Sequence, residues 1–232
     1  MAAWKDAVPA ASEQFDRKRE MLLHEAAASF NRRGYHGTSL AEIAKKLGVT
    51  KAALYTYVPS KEDLLYYCHE AAMEHAIETL HKAQAGGGNG LQKLTATLRH
   101  YMGMTLGDKG AYVVLLEENA MKPAHARTII NRRDKFEQGL REFVVEGIAD
   151  GSIVQCNPKL AIFMMMGALN WARKWYRPKG AWSGAQIAFA MTQMLERSIS
   201  SAPPEALIND PSAFPPELNN DEDAKSLRRR LA

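Results

Sequence analysis

Thr38-Ser39-Leu40-Ala41-Glu42-Ile43-Ala44-Lys45-Lys46-Leu47-Gly48-Val49-Thr50-Lys51-Ala52-Ala53-Leu54-Tyr55-Thr56-Tyr57-Val58-Pro59-Ser60-Lys61-Glu62-Asp63-Leu64-Leu65 is the stretch that decides the fold of this chain. It reads as a helix, a sharp turn and a second, short helix. Ser39 is a good N-cap because its hydroxyl can accept from an orphan backbone amide, and Glu42 three residues on completes a capping box. Leu40, Ile43, Ala44 and Leu47 then fall on one stripe, while Glu42, Lys45 and Lys46 face water. Gly48 can take the left-handed conformation that ends a helix without a Cβ clash. Thr50 caps the second helix, Lys51 to Tyr57, and Pro59 stops it. Two helices joined through a glycine-containing turn form a helix-turn-helix, whose second helix enters the DNA major groove.

The run Gly34-Tyr35, Thr38-Ser39, Ile43-Ala44, Leu47-Gly48-Val49, Leu54-Tyr55-Thr56-Tyr57-Val58 and Ser60-Lys61-Glu62-Asp63-Leu64-Leu65 resembles, in order and spacing, the N-terminal domain of the tetracycline-repressor (TetR) family. The resemblance spans roughly residues 16 to 82, and departs at Val58, where the family most often has phenylalanine. It implies that Thr50, Lys51, Ala53, Tyr55 and Tyr57 face DNA, with Ser39 and Lys61 on phosphates. The chemistry agrees in part. Lys51 can donate to guanine acceptors, and the methyl of Ala53 or Thr50 can rest on a thymine methyl. Tyrosine hydroxyls and Lys61 suit phosphates, which fix register without reading sequence, and Leu54 points inward. Tyr55 and Tyr57 also admit a plainer role, packing between helices.

The chain has 232 residues, enough for one large or two small domains, and 46% of them are hydrophobic. No apolar run approaches the roughly 18–20 residues of a spanning helix. No signal peptide opens the chain, and Cys68 and Cys156 do not form a disulfide framework. The expectation is a cytoplasmic protein that does not engage a membrane. The net charge is +4, and its placement says more than its size. Up to Lys61 there are ten Lys and Arg against six Asp and Glu; the remainder is balanced. Such an excess supplies salt-sensitive attraction to phosphates, although over sixty residues it also falls within ordinary scatter.

Outward from the motif, residues 1–15 read as a flexible N-terminal arm and 16–61 as the DNA-binding domain, with a scaffold helix from Asp16 to Arg33. Residues 62–200 read as a ligand-binding and dimerisation domain and 201–232 as a poorly ordered, proline-rich tail. Ser60 caps a helix running through Leu80. Gly86-Gly87-Gly88-Asn89-Gly90 is too flexible for helix or strand and reads as a hinge or loop between the domains. A phosphate-cradling loop would need a preceding strand and a following Lys-Ser or Lys-Thr, which are absent. Helical patterns follow at 91–106, 111–121, 123–151, 158–176 and 183–200. No strand-like alternation of useful length appears, and the fold class is all-α.

The most individual stretch of the second half is Gly167-Ala168-Leu169-Asn170-Trp171-Ala172-Arg173-Lys174-Trp175-Tyr176-Arg177-Pro178-Lys179-Gly180. It resembles the Asn-Trp, Trp-Tyr-Arg-Pro, Gly signature of a TetR subgroup that responds to acyl-coenzyme A thioesters and governs fatty-acid or steroid breakdown. That resemblance implies a small apolar effector, with an acyl-CoA as the candidate. Met102, Leu115, Phe143, Met165, Met166 and Leu169 could line an acyl tunnel. Arg173, Lys174 and Arg177 could meet phosphates beside Asn170, Trp171 and Trp175. The plainer alternative makes these tryptophans core or dimer-interface residues. The family also implies a homodimer formed by helices 158–176 and 183–200, matched to a palindromic double-stranded operator. Together these point to a ligand-responsive regulator, most simply a repressor. An enzyme is the rival class, yet His69, His75, His81, His100 and His125 give no metal-ligand pair, and there is no Gly-x-Ser-x-Gly elbow or paired-Cys site. No metal, cofactor or catalytic residue is expected. A helical scaffold that keeps the motif without reading DNA is the third option.

Overall fold

The computed structural model describes residues 11–107, 118–177 and 180–203. Its helices are α1 (Ala11–Arg33), α2 (Leu40–Lys46), α3 (Lys51–Leu54), α4 (Lys61–Ala85), α5 (Gly90–Leu106), α6 (Pro123–Ala149), α7 (Pro158–Trp175) and α8 (Gly184–Ile199), with a 3₁₀ turn at Glu118–Ala120. Among the described residues the one extended pairing is an isolated antiparallel bridge between Ile153 and Ser200. The fold is all-α, as the patterning implies.

Side-chain caps set most of the helix starts. Ser39, Asn89 and Ser183 each form a reciprocal capping box, and Thr50 and Asn157 accept from the amide three residues on. Each such cap is worth about 0.5–2 kcal/mol against alanine. Two boundaries differ from expectation. Helix α1 begins at Ala11, so residues 11–15, expected in a loose arm, are helical; residues 1–10 lie outside the described set. Helix α3 closes after Leu54, and the chain runs to Tyr57 as a turn with Tyr57 N–H on Leu54 O at 2.9 Å. The helix expected at 111–121 falls mostly outside the described residues, and its end is the 3₁₀ turn.

Two compact units emerge from the packing. The described residues up to Ala72, with those from 118 to Ile129, form the first; those from Met73 to 107 and from Ile130 onward form the second. The division falls inside α4 rather than at Lys61. In the first unit Leu22, Ala26 and Phe30 of α1 meet Leu40, Ile43 and Ala44 of α2, then Leu54, Val58, Leu64 and Leu65. Val58 is fully buried, so the smaller residue still anchors the turn after α3. Met121 and Ile129 join this core, although they are distant in sequence.

In the second unit α5 contributes Leu94, Leu98 and Met102, α6 Phe136, Leu140 and Phe143, and α7 Ile162, Met165 and Leu169. Ala76 of α4 belongs to the same cluster, with Leu80 and Ala83 packed against it. The glycine run therefore joins two helices of one unit instead of separating the units. Its last member, Gly90, is the buried first residue of α5. A Cβ there would stand 2.1 Å from Gly147 N and 2.4 Å from Phe143 O, so two helix backbones meet at a contact only glycine permits.

Candidate nucleic-acid interface and effector region

The helix-turn-helix is built from its caps inward. Glu42 N–H donates to Ser39 Oγ at 3.2 Å and Ser39 N–H to Glu42 Oε2 at 3.1 Å. The Ser39 amide and then the Arg33 guanidinium, 2.8 Å away, hold the Glu42 carboxyl below its ordinary value. Lys46 is paired with Glu25, so both ends of α2 are tied to α1. Gly48 turns the chain at φ +68°, and Ala53 N–H donates to Thr50 Oγ1 at 3.2 Å to open α3.

On that frame Ser39, Thr50 and Lys51 are exposed, as is Tyr55, while Leu54 beneath them is buried. Lys51 Nζ stands 5.9 Å from the centre of the Tyr55 ring. Ala53, Tyr57 and Lys61 are half-buried: Lys61 lies over the Tyr35 ring at 4.1 Å, and the Tyr57 ring stacks on Phe15 at 4.8 Å between centroids. Ser39, Thr50, Lys51 and Tyr55 thus form an open group, and the other three expected contacts lean on their neighbours. Phe15 was missed by the sequence reading. Its signal is its place seven residues before Leu22, on the stripe that continues through Ala26 and Phe30.

The start of α4 carries the expected Ser60 cap and, beside it, an ion pair not expected from sequence. The Ser60 hydroxyl donates to Asp63 Oδ2 at 2.7 Å, Asp63 N–H returns a bond to Ser60 Oγ at 3.0 Å, and Lys122 Nζ donates to Asp63 Oδ1 at 2.7 Å. The Lys122 ammonium, with the Ser60 hydroxyl behind it, holds the buried Asp63 carboxyl below its usual value. The His125 ring stacks on Tyr66 at 4.0 Å. The start of α6 is therefore fastened to the helix that follows the helix-turn-helix.

In the second unit the expected effector residues separate into two groups. Met102, Phe143, Met165 and Leu169 are buried together, and Met166 packs at their edge. Leu115 lies outside the described residues. Trp171 and Trp175 point the other way, 62% and 46% exposed, on a stripe of α7 with Leu160, Phe163 and Met164. Between these faces Tyr101 donates its hydroxyl to Asn170 Oδ1 at 3.0 Å, and burial pushes that hydroxyl up to about 12 against the pull of Arg173 and Arg133. Desolvation lowers the half-buried Arg173 guanidinium. Lys174 and Arg177 are exposed, and an Arg177 Nη1 folds back on Tyr176 O at 3.1 Å. A cavity of about 450 Å³ opens where α7 ends beside α8, lined by Trp175, Tyr176, Arg177, Trp182, Met191 and Met194 among others. It takes in Trp175 and Arg177 of the expected set, not the buried methionines.

Two segments of the chain match known protein families. Residues 22–68 match the bacterial regulatory proteins of the tetR family, and residues 87–199 match the tetracyclin repressor-like C-terminal domain. The fatty acid metabolism regulator protein of Bacillus subtilis (strain 168) is 26% identical over 155 residues, covering 66% of this chain and 80% of that protein. The crystal structure of AibR in complex with isovaleryl coenzyme A and operator DNA is 30% identical with a TM-score of 0.66, over 76% of this chain and 97% of that one. The regulator PfmR of Thermus thermophilus is 27% identical with a TM-score of 0.67, over the same shares. With a helix-turn-helix in its first unit and matches to both the N-terminal and the C-terminal family segments, the chain belongs to the TetR family of bacterial transcriptional regulators.

Proposed function

We propose that the protein is a homodimeric repressor that holds a palindromic operator and releases it when an apolar effector, an acyl-CoA thioester, binds its second unit. The observation that carries the DNA side is the open group of Ser39, Thr50, Lys51 and Tyr55 above a fully packed core. Lys51, with Thr50 and Ala53 beside it, reads base edges, since the N-terminal residues of a recognition helix lie deepest in the groove. Ser39, Tyr55, Tyr57 and Lys61 fix the register on phosphates.

The dimer rests on α7. Leu160, Met164, Trp171 and Trp175 lie four, seven and four residues apart on one helical face, with Phe163 beside them, and all are exposed in the protomer. A contiguous apolar face of that kind marks an interaction surface, and a second copy of the same helix is a self-complementary partner. The effector reading is supported by the chemistry of the half-buried Arg173 beside Tyr101 and Asn170, by the fatty-acid regulator among the relatives, and by the acyl-CoA held in AibR. A route for the signal follows from chain continuity. Helix α6 runs from the second unit into the first, where Lys122 and Met121 engage Asp63 and the DNA-binding core. A ligand that prefers one setting of α6 shifts the operator-binding population by its differential affinity. This is work done at DNA, in the cytoplasm, by a chain in which no described helix is long and apolar enough to cross a membrane.

The effector claim is tested by thermal unfolding and operator release with short- and long-chain acyl-CoAs, coenzyme A and free fatty acid. At a hundredfold excess over Kd, a bound thioester adds about 2.7 kcal/mol and raises Tm by about 5–10 °C, and it frees the DNA. Acyl-CoAs that move neither quantity contradict the effector assignment and leave DNA binding to be judged separately.

A further inference from the structure

We infer that Phe15, in a part of α1 outside the matched family segment, is a positioning residue for operator recognition: its ring braces Tyr57 at the end of the DNA-facing segment. This rests on the reading that Tyr57 meets DNA, and adds to it a residue which that reading does not contain.

The argument starts from how little secondary structure holds Tyr57. Helix α3 is one turn long, Lys51–Leu54, and the three residues after it are kept by bonds from Tyr55 N–H to Ala52 O at 3.2 Å, Thr56 N–H to Ala53 O at 3.4 Å and Tyr57 N–H to Leu54 O at 2.9 Å. A helix this short has no independent stability, so its side chains stand where packing puts them. From below, Leu54 and Val58 are buried and fix the backbone on either side. Beside Tyr57, the Phe15 ring stacks at 4.8 Å with 27° between the planes, a geometry in the favourable offset range for aromatic pairs.

Phe15 is itself 40% exposed, so it is not a core residue whose loss would empty the fold. One turn further along α1, the Arg19 guanidinium lies 4.9 Å over the Tyr67 ring of α4. The two contacts seat the start of α1 across the end of the recognition segment and the helix behind it. The matched family segment begins at residue 22, so this brace is supplied by the chain's own N-terminal turns. The exposed Arg17 and Lys18 are left intact by any change at Phe15, and general attraction to phosphates should persist.

The test measures binding of the full chain to its selected operator and to an unrelated duplex, by fluorescence anisotropy across a salt series. Variants are F15A, F15Y, Y57A and the double F15A/Y57A. The brace predicts that F15A weakens operator binding about three- to tenfold, with a similar factor on the unrelated duplex because Tyr57 meets phosphates, and with an unchanged salt slope because no charge is lost. F15Y restores binding, and F15A adds nothing once Y57A is present. Amide exchange at Thr56, Tyr57 and Val58 speeds up in F15A while the helical circular dichroism stays the same. Wild-type operator affinity in F15A, with Y57A impaired, overturns the brace and leaves Tyr57 at the DNA. Wild-type affinity in Y57A overturns both. Losses that add in the double variant, or a changed salt slope in F15A, also overturn the brace.

Discussion

Replacing Lys51 with alanine weakens binding to the selected operator by about 1–3 kcal/mol, a loss of about ten- to a hundredfold, and flattens the preference at the base pair it faces. The expectation comes from position. Lys51 is the first residue of α3, directly after the Thr50 cap, and its side chain is exposed. Its ammonium lies 5.9 Å from the Tyr55 ring, at the outer edge of a useful cation–π contact, so little holds it away from a base. Lys61 is the internal contrast. It packs over Tyr35 at 4.1 Å, and Lys61→Ala is expected to weaken all sequences alike and reduce the salt slope by about one. Competition binding on operators varied one base pair at a time separates the two. A Lys51→Ala protein with unchanged affinity, or with the same uniform loss as Lys61→Ala, contradicts the assignment of Lys51 to base edges.

The double change Trp171→Ala and Trp175→Ala converts the protein to a monomer at micromolar concentration and removes operator binding, while leaving the protomer folded. Magnitudes decide between the two roles open to these residues. A tryptophan in a packed core costs about 3–5 kcal/mol when truncated. An exposed one costs the protomer within about 0.5 kcal/mol, yet at the centre of an interface it contributes about 2 kcal/mol or more to association. Both rings are exposed and share their face with Leu160, Phe163 and Met164. The expected result of the double change is therefore loss of self-association without loss of the fold. Sedimentation and thermal unfolding read the two effects independently. A dimer of unchanged strength, or a protomer that unfolds, contradicts this role for α7.

The legible parts of the fold were those set by local chemistry. Ser39 with Glu42, Thr50 and Gly48 each act within four residues, and the caps and turn stand where those residues place them. The inward side of α3 was legible too, because Leu54 and Val58 sit on the period that buries them. The start of α1 was obscured because Pro9 and Ser12 look like loop residues, whereas the Phe15–Tyr57 contact joins residues 42 positions apart. The early end of α3 reflects competition between a short helix and the turn that must bring Val58 into the core. The return of Met121 and Ile129 to the DNA-binding unit is a long-range contact that no local pattern encodes. The tryptophan pair illustrates the remaining limit: helical spacing puts Trp171 and Trp175 on one face, but not whether that face looks into the core or out of it.

The central claim, a paired recognition segment that reads one duplex, is tested most directly by selecting binding sites for the purified protein from random DNA. The account predicts enrichment of an inverted repeat, with half-sites centred about one helical turn of DNA apart or a multiple of it. It also predicts an affinity that falls steeply with salt. Enrichment of a single unrepeated site, or of no sequence at all, would contradict it.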